Sequence, residues 1–344
     1  MKRITLLTAL LFSISFCSYG QTFYSKHFTI LKLADGIYSA ISKNGGYAIC
    51  NAGMVDLGDA TLIFDPFMVP EAAEDLKKAS QLLTGHKVKY VINSHFHNDH
   101  IGGNQVFDYA EIISTEITRE LIAKFQPEEI ADDRTAAPLQ LDKIRNINTS
   151  AMSPHELEEN IMWSGYYEAM VKYNDSLKII LPEITFNDRL ILHGTKRTVL
   201  LLSYGVGHTE SDLFLYLPDE QIAFLGDLLF IQNQPWLGDG DPEKWKTYLD
   251  SIGHLNLKIL VPGHGPVGTV SNIDSMKLYF ESIKNAAIAY YKKGILPEND
   301  LTLKSPPPWD NWFLSNFYRP NVISEYTRLY KSKSACAHDH NRPE

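Results

Sequence analysis

Four side chains that can bind a metal fall within six residues of the chain. Imidazole nitrogens and carboxylate oxygens are ligands of Zn²⁺ and of similar borderline metals. So many polar atoms would be costly to bury without partners in a hydrophobic core. An apolar segment over residues 87–93 precedes the run, and two glycines follow it. The pattern therefore predicts a metal site that includes His95, His97, Asp99 and His100.

Three later segments each place a metal-binding side chain beside a glycine at the end of an apolar stretch. They are Gly207-His208-Thr209, Gly226-Asp227 and Pro262-Gly263-His264-Gly265. Glycine permits the tight backbone that aims a side chain at a metal. One such segment would be a weak indication. All three, in order behind the histidine run, predict a single metal centre.

These motifs resemble those of the metallo-β-lactamase-fold hydrolases, and the resemblance covers about residues 28–270. It implies an α/β protein, a four-layer αβ/βα sandwich with two zinc ions at one edge. Seven side chains would bind these ions: His95, His97 and His208 the first, Asp99, His100 and His264 the second, and Asp227 both. Asp65, at the end of its strand, would support a ligand histidine from behind.

The ligand set predicts hydrolysis, because seven protein ligands shared by two metals leave an open position for water. Coordination lowers the pKa of water from about 15.7 towards about 7, so that hydroxide is present at neutral pH. This hydroxide would attack a carbonyl group, and the metals would hold the developing oxyanion. Asp99 could orient the nucleophile and then carry a proton to the leaving group. We expect a small substrate such as an ester, lactone, thioester or β-lactam.

Position 227 bears on the subclass. The best-known acquired metallo-β-lactamases carry cysteine there, whereas aspartate is similar to glyoxalase II and the N-acyl-lactone lactonases. A β-lactamase proper is therefore an alternative and not the first choice. A persulfide dioxygenase with one iron is a second alternative, although the full second ligand set favours two metals. A non-catalytic metal-binding protein is a third.

The N-terminus has the pattern of a secretory signal peptide over residues 1–20, which fold reasoning excludes. Lys2 and Arg3 precede an apolar stretch over residues 4–17, and small residues follow. We predict a periplasmic or secreted protein whose mature chain begins near Gln21. No other apolar run approaches the roughly 20 residues of a membrane span.

The net charge of the chain bears on whether it binds nucleic acid. The formal net charge is −9, and an acidic protein is a poor binder of polyanions. We therefore expect a small-molecule substrate and no nucleic acid, and the oligomeric state stays open.

After signal removal only Cys50 and Cys336 remain, which could pair in an oxidising compartment. Because neither lies in a Cys-x-x-Cys motif, a thiolate metal site is not expected.

Apolar periodicity and turn residues predict the elements that position the site. Residues 21–275 would form the metallo-β-lactamase-fold domain, with a helical insertion at about 115–180, and residues 276–344 a helical C-terminal extension. Within the insertion, helices are expected over 116–125 and 156–173. Strands are expected at 28–33, 37–41, 47–55 with a break at Gly53, 60–66, 87–93, 198–204, 213–217, 221–225 and 258–261, and further helices at 70–83 and 244–254.

Two weaker signals have a structural interpretation. The loop over residues 236–241 could face a substrate, but we favour an Asp/Gly turn that caps the helix starting near Pro242. Tyr204, Tyr166 and Tyr167 could line a pocket, although single tyrosines more often belong to the core.

Overall fold

The computed structural model describes residues 23–339, and their side chains as far as Tyr330. The predicted signal peptide lies outside the described residues. Within the described part, no helix combines the length and apolar character that a membrane crossing requires.

The first sheet has seven strands. They are β1 (Phe28–Ala34), β2 (Ile37–Ser42), β3 (Ala52–Asp56), β4 (Thr61–Phe64), β5 (Val88–Ile92), β6 (Glu111–Thr115) and β7 (Ile184–Phe186), side by side in chain order. The pairs from β1 to β4 are antiparallel, and those from β4 to β7 are parallel. Because parallel strands end at the same edge of a sheet, Asp65 after β4 and the histidine run after β5 lie at one edge.

The second sheet has five strands. They are β8 (Arg189–His193), β9 (Thr198–Gly205), β10 (Asp212–Leu217), β11 (Ile222–Phe230) and β12 (Ile259–His264). All pairs are antiparallel except β11 with β12, which is parallel. The predicted hairpin turn at residues 218–220 joins β10 to β11.

Seven helices accompany the sheets. They are α1 (Pro70–Thr84), α2 (Asn98–Ile101), α3 (Glu116–Arg145), α4 (Pro154–Tyr173), α5 (Pro242–Gly253), α6 (Ser271–Lys293) and α7 (Tyr318–Asp339). Buried apolar side chains form one layer between the two sheets, a second under α1 and α4, and a third under α5, α6 and α7. Helices thus cover the outer face of each sheet. The four-layer αβ/βα sandwich that the sequence predicted is confirmed.

The helical insertion is more regular than the sequence indicated. We expected its first helix to end near residue 125, where the helical spacing of apolar residues ends, and Pro127 beyond it lacks the backbone donor of a helix interior. Helix α3 instead continues through Pro127 and Pro138 and packs along α4. At its start, Leu121 and Ile122 pack against Phe96 of the histidine run. The insertion is therefore anchored beside the predicted metal site.

The strand predicted over residues 47–55 is shorter, and Gly53 does not break it. Gly53 lies within β3, opposite Ser39 and Phe64. A Cβ atom at this position would come within 2.8 Å of the Phe224 ring, so the glycine leaves room for that ring between the sheets. Residues 47–51 form a loop instead. The backbone N of Asn51 donates a hydrogen bond to the backbone O of Gly263 in the second sheet, at 2.7 Å.

The boundary predicted at residue 275 falls within α6, which begins at Ser271. Ile273, Met276 and Phe280 of this helix belong to the apolar layer on the second sheet. The division between domain and extension stays a prediction.

Substitution of Phe224 tests how much the apolar layer between the sheets contributes to stability. Its ring is 1% exposed and its centroid lies 6.0 Å from that of Phe64. We expect Phe224→Ala to lower the free energy of unfolding by about 3–5 kcal/mol, because it leaves a cavity. Leu31→Ala, at a side chain 44% exposed, should change it by no more than about 0.5 kcal/mol. Urea unfolding measures both; equal effects would contradict this packing.

Candidate metal centre

Loops and strand ends from both sheets bring all seven predicted ligands to one edge of the sandwich. The segment after β5 and the short helix α2 supply the first four. The turn after β9 presents His208, Asp227 lies within β11, and His264 ends β12. Two groups of these residues are spaced to hold a metal ion: His95, His97, His208 and Asp227, and then His100, Asp227 and His264.

Three imidazole nitrogens of the first group converge on one point. His95 Nε2 and His208 Nε2 each lie 3.0 Å from His97 Nδ1. Asp227 Oδ2 faces the same point, 3.3 Å from His208 Nε2 and 3.8 Å from His95 Nε2. The three nitrogens and one oxygen together form one donor set.

The other oxygen of Asp227 belongs to the second group. Asp227 Oδ1 lies 3.1 Å from His100 Nε2 and 3.3 Å from His264 Nε2. Asp99 Oδ2 completes this group, 3.3 Å from His264 Nε2 and 3.5 Å from His100 Nε2. Asp227 therefore stands between the two groups with one oxygen towards each, which is the arrangement expected of a bridging carboxylate.

The outward-facing ring nitrogen of each histidine has its own partner. The five contacts are His95 Nδ1 with Ser94 Oγ (2.9 Å), His97 Nε2 with Asp239 Oδ2 (3.1 Å), His208 Nδ1 with Trp236 O (3.1 Å), His100 Nδ1 with Asp65 Oδ2 (2.8 Å) and His264 Nδ1 with Ile49 O (3.1 Å). Such contacts fix the tautomer and orientation of metal-binding imidazoles. They leave the inward nitrogens as acceptors that face one another.

Two buried polar atoms support a fit to metal. His100 Nε2 and Asp227 Oδ1 have no hydrogen-bond partner of acceptable geometry in the described part of the chain, although they lie 3.1 Å apart. Buried polar atoms without partners are costly. A cation between the donors would satisfy both atoms, and imidazole with carboxylate suits zinc and similar borderline metals.

Two of the three imidazoles in the first group are held neutral; burial would also lower the pKa of His97, but its hydrogen bond to Asp239 outweighs burial and raises that pKa above its usual value. Burial lowers the pKa of His95 well below its usual value, and the imidazoles of His100 and His97 act in the same direction. Burial also lowers the pKa of His208, to about 3. Burial by itself would raise the pKa of Asp227, but His264 and His100 outweigh it and hold that pKa well below its ordinary value. Neutral imidazole and ionised carboxylate are the forms that bind metal.

Asp65 lies where the sequence placed it, behind His100. Its carboxylate is fully buried and also accepts hydrogen bonds from the Ser94 amide N at 2.8 Å and Ser94 Oγ at 2.7 Å. Its φ is 54°, a conformation that non-glycine residues rarely adopt and that is concentrated at functional sites. The geometry agrees with the predicted supporting role.

The loop over residues 236–241 caps a helix and also contacts the candidate metal centre. Asp241 accepts hydrogen bonds from the amide N atoms of Glu243 and Lys244 and caps α5, as predicted. Asp239, which we had not singled out, accepts bonds from His97 Nε2 at 3.1 Å and Trp236 Nε1 at 2.8 Å. Nothing in the local Asp/Gly pattern distinguishes the two aspartates, because only the fold brings one of them to His97.

Three cavities open beside the metal centre. One of them, about 240 Å³, is lined by His264 and Lys43 among others, and the other two differ in size. The smaller, about 120 Å³, is lined by Asp99, Asp227, His264 and also Tyr166, which we had expected in the core. The larger, about 650 Å³, opens at His97 and has an acidic wall: Glu128, Glu129, Asp132, Asp133, Glu210 and Asp239. None of the described residues that line these two cavities is Lys or Arg.

Comparison with known proteins identifies the family. The sequence model described as Metallo-beta-lactamase superfamily matches residues 45–264, which is more than half of the chain. The chain belongs to the metallo-β-lactamase superfamily. The matched segment runs from before the histidine run to His264, so all seven predicted ligands of this superfamily member lie inside it.

Relatives within the superfamily are distant. A metallo-beta-lactamase type 2 of Pseudomonas aeruginosa is 24% identical over 255 residues, which covers 70% of this chain and 80% of that protein. A metallo-beta-lactamase type 2 of Bacillus cereus is 35% identical over only 69 residues, 19% of this chain and 27% of that protein.

Solved structures agree on the fold. A metallo-beta-lactamase from Pontibacter korlensis matches with a TM-score of 0.54 at 17% identity, covering 73% of this chain and 97% of that one. The DIM-1 metallo-beta-lactamase, in a crystal structure after exposure to ceftazidime, matches with a TM-score of 0.52 at 14% identity, covering 73% and 95%. At these identities the likeness establishes the shared architecture.

Substitution of Asp239 tests whether this residue keeps His97 in the orientation that binds metal. We expect Asp239→Ala to weaken zinc binding about 10–100-fold, because partners behind a ligand histidine contribute to metal affinity on that scale. Competition with a chromophoric chelator measures this. Asp241→Ala is the matched control from the same loop. It should cost about 1 kcal/mol of stability through the lost cap and leave zinc affinity unchanged; equal losses of affinity would contradict the role of Asp239.

Proposed function

We propose that this superfamily member is an exported hydrolase that holds two zinc ions and cleaves a small carbonyl compound. The observation that carries the proposal is the position of Asp227, which directs one oxygen to each of two converging donor groups. His95, His97 and His208 would hold one ion, and Asp99, His100 and His264 the other. Export rests on the signal pattern over residues 1–20.

The metals, when bound, would supply Lewis acidity and a water molecule of lowered pKa. The protein's own contribution is to fix the donors before substrate arrives. Five outward contacts orient the imidazoles, and burial excludes bulk water from His95, His100 and His208. Electrostatic groups held in this way need little rearrangement during the reaction.

Asp99 is the residue that we propose handles protons. Its carboxylate is 15% exposed and lines the smaller cavity with Asp227. Burial by itself would raise its pKa, but His100 and His264 outweigh it and lower that pKa below its ordinary value. An ionised carboxylate at the cavity wall can orient the attacking water, accept a proton and pass it to the leaving group.

The charge of the larger cavity bears on the substrate. Its six carboxylates and the lack of Lys or Arg among its described lining residues disfavour a substrate that carries a carboxylate near His97. Neutral esters, lactones and thioesters meet this condition. β-Lactam hydrolysis stays a candidate because the relatives are named as metallo-β-lactamases.

Metal analysis and hydrolysis assays on the zinc-loaded protein test the proposal. We expect two zinc ions per chain and turnover of at least one substrate among a chromogenic β-lactam, a lactone, a thioester and an ester. Asp227→Ala should lose the activity together with metal. Asp99→Ala should reduce kcat far more than it changes KM, because the proton carrier acts on turnover.

Two results would contradict this reading. One iron per chain would favour a persulfide dioxygenase, and normal turnover by Asp99→Ala would remove that residue from proton transfer. Asp59→Ala, at an exposed carboxylate that lines neither cavity, serves as the control and should behave as the unaltered protein.

Substrate charge gives a separate prediction. For two esters that differ only by a carboxylate, we expect the neutral ester to have the higher kcat/KM. The double variant Glu128→Gln/Asp132→Asn should raise kcat/KM for the anionic ester about two- to tenfold at low ionic strength, because it weakens repulsion at the cavity mouth. Salt should reduce the effect. An unchanged ratio would show that the wall does not face the substrate.

The preference for the neutral ester over the anionic ester should depend on pH. Burial raises the pKa of Glu129 to about 7, and burial with the neighbouring Asp132 raises that of Asp133 to about 6. Both groups are therefore neutral at low pH and become charged between about pH 5 and pH 8. The preference for the neutral ester over the anionic one should increase across this interval.

A further inference from the structure

We propose that the thiolate of Cys50 is an additional ligand of the metal ion at Asp99 and His100. The inference rests on the proposed metal centre and adds a residue that the ligand motifs do not contain. It also reverses our expectation that the protein has no thiolate metal site. The grounds are the position of the thiol, the anchoring of its loop and an unsatisfied imidazole nitrogen.

The thiol lies among metal-binding atoms. Cys50 is fully buried and forms no disulfide in the described part of the chain. Its Sγ atom, a carboxylate oxygen of Asp99 and a ring nitrogen of His100 all lie within 4.8 Å of one another, which is close enough to share one ion. Sγ also lies 2.9 Å from the Asp99 carbonyl oxygen.

The loop that carries Cys50 is fixed to the turn that carries His264. Asn51 donates from Nδ2 to Pro262 O at 3.0 Å and to Gly265 O at 2.8 Å. On the other side of the cysteine, Ile49 O accepts a hydrogen bond from His264 Nδ1 at 3.1 Å. The residues before and after Cys50 are therefore both bonded to this turn, which holds the thiol in place.

His100 provides the independent observation. Its side chain is fully buried, and Nε2 has no hydrogen-bond partner of acceptable geometry among the described residues. Asp65 occupies the other ring nitrogen, so Nε2 is left as the acceptor. This nitrogen lies 3.5 Å from Asp99 Oδ2, and the same imidazole and carboxylate are grouped with the Cys50 thiol. A cation there would pair with the nitrogen, the carboxylate and the sulfur together.

Coordination would change the protonation of the sulfur. Burial raises the pKa of the Cys50 thiol to about 12, so the metal-free protein carries S–H, which can donate to the Asp99 carbonyl oxygen. A bound zinc ion deprotonates a coordinating thiol. The S–H bond breaks, its proton leaves to solvent, and the electron pair forms the zinc–sulfur bond. A sulfur donor would also favour zinc over the harder Mn²⁺ at this position.

X-ray absorption at the zinc edge tests the inference on the full chain loaded with two zinc ions. We expect a sulfur neighbour at about 2.3 Å. The double variant Cys17→Ser/Cys336→Ser retains Cys50 as the only cysteine and should keep this signal. Cys50→Ser should lose it, and its second zinc ion should bind at least tenfold more weakly. With cobalt in place of zinc, the near-ultraviolet thiolate-to-cobalt absorption should follow the same pattern.

The outcomes separate this inference from the proposed function. Two zinc ions with only nitrogen and oxygen neighbours would overturn the role of Cys50 and leave the hydrolase proposal intact. Sulfur coordination that is lost in the double variant would assign the signal to another cysteine and also overturn it. Failure to bind a second ion would contradict both proposals. Because the decisive spectra come from the unaltered protein and the double variant, the result does not depend on whether Cys50→Ser folds.

Discussion

The carboxylate of Asp227 is an ionised group, 4% exposed, that the protein surrounds with imidazoles and not with Lys or Arg. A buried charge is unfavourable unless it is paired, and in the absence of metal the imidazoles of His264 and His100 are the groups that stabilise this carboxylate. The arrangement makes physical sense when cations occupy the two donor groups on either side of the carboxylate. Each ring that faces Asp227 is in turn held by a contact on its far side, so this one pairing requirement extends to Ser94, Asp65, Trp236 and Ile49.

The sandwich brings these residues together because the strand ends that carry them lie at the same edge of both sheets. Strands β4 and β5 end beside each other in the first sheet, and β11 and β12 run parallel in the second. Parallel strands release their loops on the same side, so each sheet contributes donors to a common centre. The insertion of α3 and α4 and the loop after β11 then form the walls of the cavities. Most of the candidate ligands thus lie at strand ends, whereas the insertion and this loop supply most of the other residues that line the two cavities.

The architecture could be predicted from the sequence because its motifs resemble those of a family with a characteristic fold, and the same motifs indicated the seven candidate ligands that the structure brings to one edge of the sandwich. A histidine beside a glycine at a strand end can be recognised without knowing its neighbours. The full length of α3 could not be predicted from the sequence, since packing on α4 outweighs the effect of Pro127 and Pro138. The contact of Asp239 with His97 and the position of Cys50 beside Asp99 were also missed. Their significance comes from contacts over 142 and 49 residues, and no local motif records such distances.

The donors are divided along the chain as well as between the sheets. Four lie within residues 95–100, whereas the last, His264, follows more than 160 residues later. During synthesis the early donors therefore exist long before the centre can be completed. A chain that stops short of β12 would lack both His264 and the turn that fastens the Cys50 loop. If the proposed second ion binds, its occupancy would report that the two halves of the polypeptide have docked correctly.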